Sequence, residues 1–360
     1  MRVCILGSGL TALTLAKALV NQNIFVDLIS SNKNHKINHS RTIGISESNF
    51  NYFNKNISNI EKISWKLKKI EIYTDKNKNK NEKILNFENS NNQLFSIIKN
   101  YQLYEVLNKG LFKNKYFKKI KSKKKLIKIE KYNLIVNTEY NNVFTKKYFS
   151  KKIEKVYNSS AYTTVINHKT ISNQIAVQIF TKIGPLAFLP LSKNKTSIVY
   201  SIYNSKDVDR KKIIHLINQH NIKYKITKIQ KIENFELKSF NLRSYYYNNI
   251  LAFGDLLHRI HPLAGQGFNM TIRDINVFIR IIKNKINLGL PIDSSVNYEF
   301  EKNLKHKNYI FSNSIDFVQE FFNFERKLNN NVLSKSLKIL GKNSYINKLF
   351  TKVADKGINF

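Results

Sequence analysis

The chain is poor in cysteine, glycine, proline and acid. One cysteine, Cys4, in 360 residues excludes an intrachain disulfide and any paired-CxxC zinc site, and it fits a reducing compartment. Eleven glycines and four prolines leave little material for tight turns, so a cluster of glycines marks backbone that needs them. They cluster at Gly7 and Gly9 and again at Gly265 and Gly267. His258 and His261 stand three apart with no further ligand nearby in sequence, which argues against a metal. No Ser-His-Asp set and no paired carboxylates argue for hydrolysis. No run of 18 apolar residues occurs, so no transmembrane helix is expected. The apolar stretch after Met1-Arg2 mimics a signal peptide, but Lys17 interrupts it and its glycines suit another purpose.

Only 24 acidic residues face 61 basic ones, a formal charge of +37. Such charge points to nucleic acid or an anionic membrane surface. Lys, Asn, Ile, Tyr and Phe are abundant while Ala, Gly, Pro and Arg are scarce, the bias left by AT-rich coding. Most of the charge is then expected on solvated faces, including hairpin faces in Lys113–Lys131. No nucleic-acid motif accompanies it, so no nucleic-acid partner is expected.

Arg2–Leu6 reads as a buried strand, Leu10–Val20 has helical apolar spacing, and Phe25–Ile29 reads as the next strand. Between the first two lies Gly7-Ser8-Gly9-Leu10-Thr11-Ala12, a G-x-G-x-x-A turn. Gly7 permits the tight turn, Gly9 lets backbone approach a pyrophosphate, and Ala12 lets the helix sit close to the strand. An acidic residue usually ends the second strand to bind a ribose; here the spacing gives Ser30, and Asp27 faces the other side.

Further on, Ile250–Phe253 reads as a strand ending in Gly254-Asp255. Then come His261-Pro262, the turn Gly265-Gln266-Gly267, Phe268 and Asn269, and an amphipathic helix over Ile272–Lys285. A glycine turn feeding a helix aims unpaired N–H groups and a positive dipole end at a ligand. Asp255 at the strand tip can accept hydrogen bonds from hydroxyls. One bulky dinucleotide would occupy both turns. FAD fits, and NAD alone would leave the second turn idle.

The run His-Pro-Leu-Ala-Gly-Gln-Gly-Phe-Asn followed by Arg-Asp resembles the signature of the ubiquinone-biosynthesis hydroxylases among the class A flavin monooxygenases. Arg41-Thr42-Ile43-Gly44-Ile45-Ser46, within a polar loop-like stretch His35–Ser48, is similar to a family segment whose arginine approaches the flavin. Gly184–Leu191 resembles the family's Gly-Pro-Leu-Ala wall against the flavin ring, and Asn100 matches a polar residue near it at a helix start, where helix capping would equally explain an Asn. The family's Gly-Asp-Ala-Ala-His becomes Gly254–His258 with Leu256 and Leu257, and a helix glycine becomes Thr271; both changes are expected to bring bulk toward the cofactor helix. The family's Gly-Ala-Asp-Gly turn, which touches flavin and nicotinamide donor, is replaced by Asn137-Thr138-Glu139-Tyr140.

The resemblance implies an α/β fold: a Rossmann-like FAD-binding domain, an inserted mixed β-sheet substrate domain and C-terminal helices, as in para-hydroxybenzoate hydroxylase. The boundaries are 1–60, 92–160 and 236–290 for the first, 61–91 and 161–235 for the second, and 291–360 for the third. Ile63–Ile72 and Ile84–Phe87 begin the second sheet around a polar loop Asp75–Lys83, and Asn100 opens a helix. Leu134–Val136 returns to the first sheet. Ala161–Ile166, Ile175–Thr181, Leu186–Pro190 and Thr196–Tyr203 form the substrate floor, followed by a helix Val208–Asn221 and a strand Tyr224–Phe235. A long helix runs over Asp293–Asn323, with shorter ones carrying Leu337, Leu340, Leu349 and Phe350.

The implied activity is hydroxylation of a polyprenylated phenol by FAD and molecular oxygen through a flavin hydroperoxide, with NADH or NADPH as donor. The cofactor residues implied are Gly7, Gly9, Leu10, Thr11, Ser30, Arg41, Asn100, Asp255, Gly265, Gln266, Gly267, Phe268 and Asn269; no catalytic side chain is assigned. Cytoplasmic location, peripheral contact with an anionic membrane on its inner face and a complex with other ubiquinone-biosynthesis proteins are further expectations. The alternative is an eroded, non-catalytic relative acting as a lipid-binding or assembly subunit, motivated by Asn137–Tyr140 and Leu256-Leu257.

Overall fold

The computed structural model describes residues 1–31, 40–76, 80–88, 93–122, 129–203, 208–261, 265–328, 348, 351–353 and 355–357. Leu337, Leu340, Leu349 and Phe350, and Pro262 to Ala264 of the second turn, lie outside them.

The chain opens as β1 (Arg2–Leu6), α1 (Leu10–Val20) and β2 (Phe25–Ser31), then β3 (Thr42–Ser46) and α2 (Glu47–Asn56). Next come β4 (Ser64–Leu67), β5 (Lys69–Lys76), β6 (Lys80–Glu88), β7 (Phe95–Lys99), α3 (Asn100–Phe112), β8 (Phe117–Ser122), β9 (Leu134–Asn137) and α4 (Val143–Tyr148). The middle holds β10 (Lys152–His168), β11 (Ile175–Thr181), β12 (Gly184–Ser192), β13 (Lys195–Tyr203), α5 (Arg210–Gln219), β14 (Ile226–Ile229) and β15 (Glu233–Leu242). The last elements are β16 (Tyr246–Tyr247), β17 (Ile250–Ala252), β18 (His258–Arg259), α6 (Gln266–Asn287) and α7 (Ser294–Leu328).

Three sheets result. The first runs β16-β17-β9-β1-β2-β8, parallel throughout except for the short β16–β17 pair. Its central strands are apolar on both faces: Val3, Cys4, Ile5, Leu134, Ile135 and Val136 are all fully buried. Such runs are what a parallel sheet covered by helices requires. The second sheet runs β18-β15-β10-β13-β12-β11-β5-β6, with β14 on β10; only β11–β5 is parallel. α5 covers one of its faces through Ile213 and Ile217, against Ile166, Ile198 and Tyr200. The third sheet, β3-β7-β4, is small and antiparallel, and its Phe95, Ile97 and Leu67 pack on Ala176 and Leu189 of the second. That contact holds β3 between the two large sheets. Thr42 hydrogen-bonds Ser197 at 3.0 Å, and Ser40 sits 3.2 Å from Thr163.

Several elements differ from expectation. Residues 42–46 form a strand and Glu47 starts a helix, where a loop was expected through Ser48; Ile43 and Ile45 alternate in register with β7. Phe117–Ser122 is a parallel edge strand on β2, not a hairpin face, because Phe117 and Ile120 pack on the core while Lys118 is exposed. Exposed lysines suit an edge, since they discourage pairing with another chain. The single strand expected over 224–235 is broken between β14 and β15. α6 begins at Gln266, six residues before the expected start, because the glycine turn itself supplies the first helical turn.

An aromatic cluster joins the last elements. Phe253, Phe278 and Phe300 have ring centroids 5.4 to 5.8 Å apart and are all fully buried. It ties the end of β17 to α6 and α7, and truncating any one ring should lose about 3–5 kcal/mol. Beside it, His258 Nε2 lies 2.6 Å from Asp274 Oδ2, with Asn308 donating to Asp274 Oδ1 at 3.2 Å. Among the described residues, no helix is long and apolar enough to cross a membrane.

Candidate functional site

The first glycine turn leaves an open cradle. Gly7 takes φ +130° and donates its N–H to Ile29 O at 2.9 Å, which ties the start of the β1–α1 turn to β2. Gly9 is the N-cap of α1, with no side-chain cap and no acidic residue in the first turn. No heavy atom lies within 4 Å of where a Cβ on Gly9 would stand. Unscreened N–H groups, a positive helix end and an empty approach path together fit a pyrophosphate. Ser30, nearly buried, is placed beside this turn by β2. Asp27 is buried away from it, accepting from Tyr132 Oη at 3.0 Å.

The strand end that leads into the second turn is fastened to the first. Gly254, at φ +64°, leaves room only for hydrogen on the side facing Thr11, because a Cβ there would meet Thr11 Cγ2 at 2.3 Å. Asp255 follows, exposed. Gly265 is the N-cap of α6 at φ 64°, again without a side-chain cap or an acid in the first turn. Its Cα side faces the backbone of Gly44 in β3, 3.5 Å from an ideal Cβ. α6 is 22 residues long, roughly 33 Å, and its positive end points at this junction.

Asn269 makes the junction rigid. It is fully buried; its Nδ2 donates to Gly44 O at 3.0 Å, and its Oδ1 accepts from Ser46 N–H at 3.0 Å and Asn49 Nδ2 at 3.3 Å. With both ends of the amide engaged by protein, Asn269 holds the turn in place and has no polar atom left for a ligand. Gln266 is the opposite case: it is buried and its Oε1 has no hydrogen-bond partner among the described residues. A buried acceptor left unpaired favours a donor brought by a ligand. Gly267 and Phe268 continue the first turn, with Phe268 6.5 Å from the Phe53 ring.

Arg41 and Asn100 come together where β3 and α3 begin. The Asn100 N–H donates to Arg41 O at 3.0 Å, and the exposed Arg41 guanidinium lies 5.1 Å from the Phe235 ring centre. Asn100 is the first residue of α3, and the cap position belongs to Lys99, so capping does not account for Asn100. Gly184–Ser192 sends alternate side chains to opposite faces. Leu186 and Phe188 pack under α5, while Leu189 and Leu191 meet the third sheet. Thus Gly7, Gly9, Leu10, Thr11, Ser30 and Asp255 gather around the α1 start, Gly265 to Asn269 form the α6 start against Gly44, and Arg41 and Asn100 pair with each other at the beginning of β3 and α3.

Two departures resolve differently. Leu256 and Leu257 turn into the core rather than toward the site, while Thr271, buried within α6, donates its hydroxyl back to Gly267 O at 3.4 Å. The residues after β9 form a closed polar knot. Thr138 Oγ1 donates to Leu6 O at 2.7 Å, and that oxygen would stand only 2.1 Å from a Cβ on Gly7. Asn142 Nδ2 donates to Asn137 Oδ1 at 2.6 Å, and Thr145 Oγ1 donates to Glu139 O at 2.6 Å. Side-chain bonds replace what glycines would otherwise permit.

Three further residues at the site carry roles that the sequence did not assign: Ser46, Asn49 and Thr138. Ser46 and Asn49 belong to a strand–helix junction hidden inside an apparent loop; Ser three residues before Asn at a helix start was its only signal. His261 is 1% exposed with both ring nitrogens unpaired among the described residues, edge-on to Tyr157 at 5.0 Å. Burial pushes its pKa down to about 3, so it is neutral and adds no charge to the α6 end. A cavity of about 770 Å³ borders Arg243, Tyr245, Tyr298, Lys302, Lys305 and Tyr309 on the flank of α7; none of its lining residues belongs to either turn.

Residues 151–287 match the model of an FAD binding domain. The chain is 23% identical over 213 residues to the ubiquinone biosynthesis monooxygenase COQ6 of Caenorhabditis elegans, covering 46% of this chain and 47% of that protein. It is 32% identical over 122 residues to the 3-demethoxyubiquinol 3-hydroxylase of Escherichia coli, covering 31% and 30%. The chain therefore spans about half the length, or less, of these curated relatives. Its fold matches p-nitrophenol 4-monooxygenase PnpA of Pseudomonas putida with a TM-score of 0.80 at 10% identity, over 98% of both chains. Klebsiella pneumoniae HpxO, solved with FAD and uric acid, matches at 0.76 and 10% identity over 98% and 97%.

Proposed function

We propose that the chain is a class A flavin monooxygenase akin to the ubiquinone-biosynthesis hydroxylases, and that it hydroxylates the aromatic ring of a polyprenylated phenol or quinol. FAD is its cofactor, and when bound it supplies the activation of molecular oxygen. The observation that carries the reading is a pair of uncapped helix starts, one with Gly254 packed on Thr11 and the other with Gly265 packed on Gly44. A single two-lobed dinucleotide satisfies both.

The chain's own groups then divide the work. Gly7, Gly9, Leu10 and Thr11 hold the pyrophosphate at the α1 start. Ser30 hydrogen-bonds the ribose without charge assistance, a weaker bond than a carboxylate would make. Asp255, exposed at its tip, accepts from hydroxyls of the cofactor's sugar-alcohol chain. Arg41 and Asn100 approach from β3 and α3. Gly265, Gln266, Gly267 and Phe268 border the ring, and the α6 dipole stabilises negative charge there. Because His261 is neutral, that stabilisation comes from backbone. NADH or NADPH supplies the electrons, and peripheral contact of the basic surface with anionic lipid, on the cytoplasmic side, brings the chain to a membrane-borne substrate.

A second reading has its own observation. Thr138 plugs the outer side of Gly7 where the resembled family has alanine, so this chain can bind flavin yet not accept hydride from a nicotinamide. It would then serve as a non-catalytic lipid-binding or assembly subunit. Visible absorption of the purified protein, followed anaerobically with NADH and NADPH, separates the two. Flavin bands that bleach, with ring hydroxylation restored in a hydroxylase-deficient host, support the enzyme. Absence of flavin after reconstitution would sink the leading proposal.

A further inference from the structure

We infer that Asp355 is a positioning residue for the second glycine turn, acting through Ser46 and Asn269. The inference rests on the FAD reading above.

It starts at the helix α2. Ser46 is its N-cap, yet the Ser46 hydroxyl makes no cap bond. An N-cap serine ordinarily accepts from the N–H two or three residues on. Here the hydroxyl instead donates to the main-chain O of Asp355 at 2.9 Å and accepts from Asn49 Nδ2 at 2.8 Å. The missing cap comes from Asp355, whose Oδ1 accepts the Ser48 N–H at 2.9 Å. Ser48 Oγ also donates to Asp355 O, at 3.1 Å. A carboxylate 307 residues away thus caps α2, with its charge at the favourable end of the helix dipole. In a chain with 24 acids against 61 bases, an acid held this way is conspicuous.

The segment around Asp355 is anchored twice more. Val353 packs against the group formed by Ile260, Met270 and Phe311, which sits beneath the start of α6. Gly357, at φ +74°, lies so close to Arg273 of α6 that a Cβ would meet Arg273 Nη1 at 2.4 Å. The Arg273 guanidinium is stacked over Phe311 at 4.5 Å, and Nη1 and Nη2 have no hydrogen-bond partner among the described residues. The negative charge of Asp355 partly offsets that buried cation.

Ser46 relays the grip. Its N–H donates to Asn269 Oδ1 at 3.0 Å, and Asn269 in turn holds Gly44 O. The path from Asp355 to the helix start at Gly265 therefore consists of hydrogen bonds and one shared residue. Asp355 touches neither turn, but the geometry of β3 against α6 depends on it. Cofactor affinity should depend on it too, since the ligand meets the turn as backbone that must already be in place.

The test uses the full chain and the variants Asp355→Ala, Asp355→Asn and Ser46→Ala. FAD binding is followed by quenching of flavin fluorescence. Thermal melts and amide exchange are followed in the flavin-free protein. Asp355→Ala should weaken FAD about tenfold, as loss of a cap would, and speed exchange at residues 265–269. Asp355→Asn keeps an oxygen for the Ser48 N–H and should recover most of the affinity. Ser46→Ala leaves that cap intact and should give a smaller loss in the same direction. A lowered melting temperature with unchanged FAD affinity and unchanged exchange at 265–269 would make Asp355 merely structural and overturn the inference. Equal weakening by Asn and Ala overturns it as well. If the wild-type chain takes no FAD, the FAD reading fails, while faster exchange at 265–269 in Asp355→Ala still upholds the coupling.

Discussion

Gly7 and Gly9 stand two residues apart and answer to different neighbours. Gly7 has φ +130° and Thr138 pressed against it, so a methyl there is both strained and blocked. Gly9 has φ −77° and open space, so a methyl fits the protein and intrudes only on a ligand. Gly7→Ala should lower the melting temperature and abolish FAD binding, whereas Gly9→Ala should melt near wild type and still lose FAD affinity. Equal thermal loss in both would contradict this. His261 gives a pH signature. Its folded pKa is depressed from 6.5 to about 3, so between those values the unfolded chain binds a proton that the folded chain refuses. Its contribution therefore falls as pH falls below 6.5. Relative to wild type, His261→Phe should lose about 2 kcal/mol less stability between pH 6.5 and 5, as urea melts at the two pH values would reveal. Cys4, buried beside Asp27, has its thiol pushed up to about 12, so a thiol reagent should label it only after unfolding.

At the scale of elements, the meeting of β3 with α6 decides the site. Asn269→Ala removes the acceptor for Ser46 N–H and the donor to Gly44 O, both in a fully buried place. It should cost about 1–3 kcal/mol in a denaturant melt, with amides of 265–269 exchanging first. The strand β3 was hidden in a polar stretch because two isoleucines in five residues give too short an alternation to announce a strand. Its partner β7 lies about fifty residues away in sequence, and Thr163 and Ser197 of the second sheet more than a hundred from its start. α6 was legible from its apolar stripe, but its start was misplaced by six residues, since glycines weigh against helix locally and only packing against Gly44 explains them.

The whole molecule carries +37 with few acids to offset it. Ion pairs such as Lys66–Glu61 are exposed and contribute little. Net self-repulsion should then dominate the response to salt: raising it from about 20 to 200 mM should raise the melting temperature by a few degrees, and a fall would argue that the pairs matter more. What could be settled from residues alone was local and periodic: the β1–α1–β2 unit, most strands of the second sheet, and two glycine turns, each encoded in a short consecutive stretch. Tertiary structure alone decided which partners those turns acquired. Thr11 meets Gly254, Gly44 meets Gly265, Thr138 closes on Gly7 and Leu256-Leu257 turn inward, all through contacts between distant segments. A single sequence carries no local signal for such contacts, because their energy arises from shape and hydrogen bonding that exist only once both segments are in place.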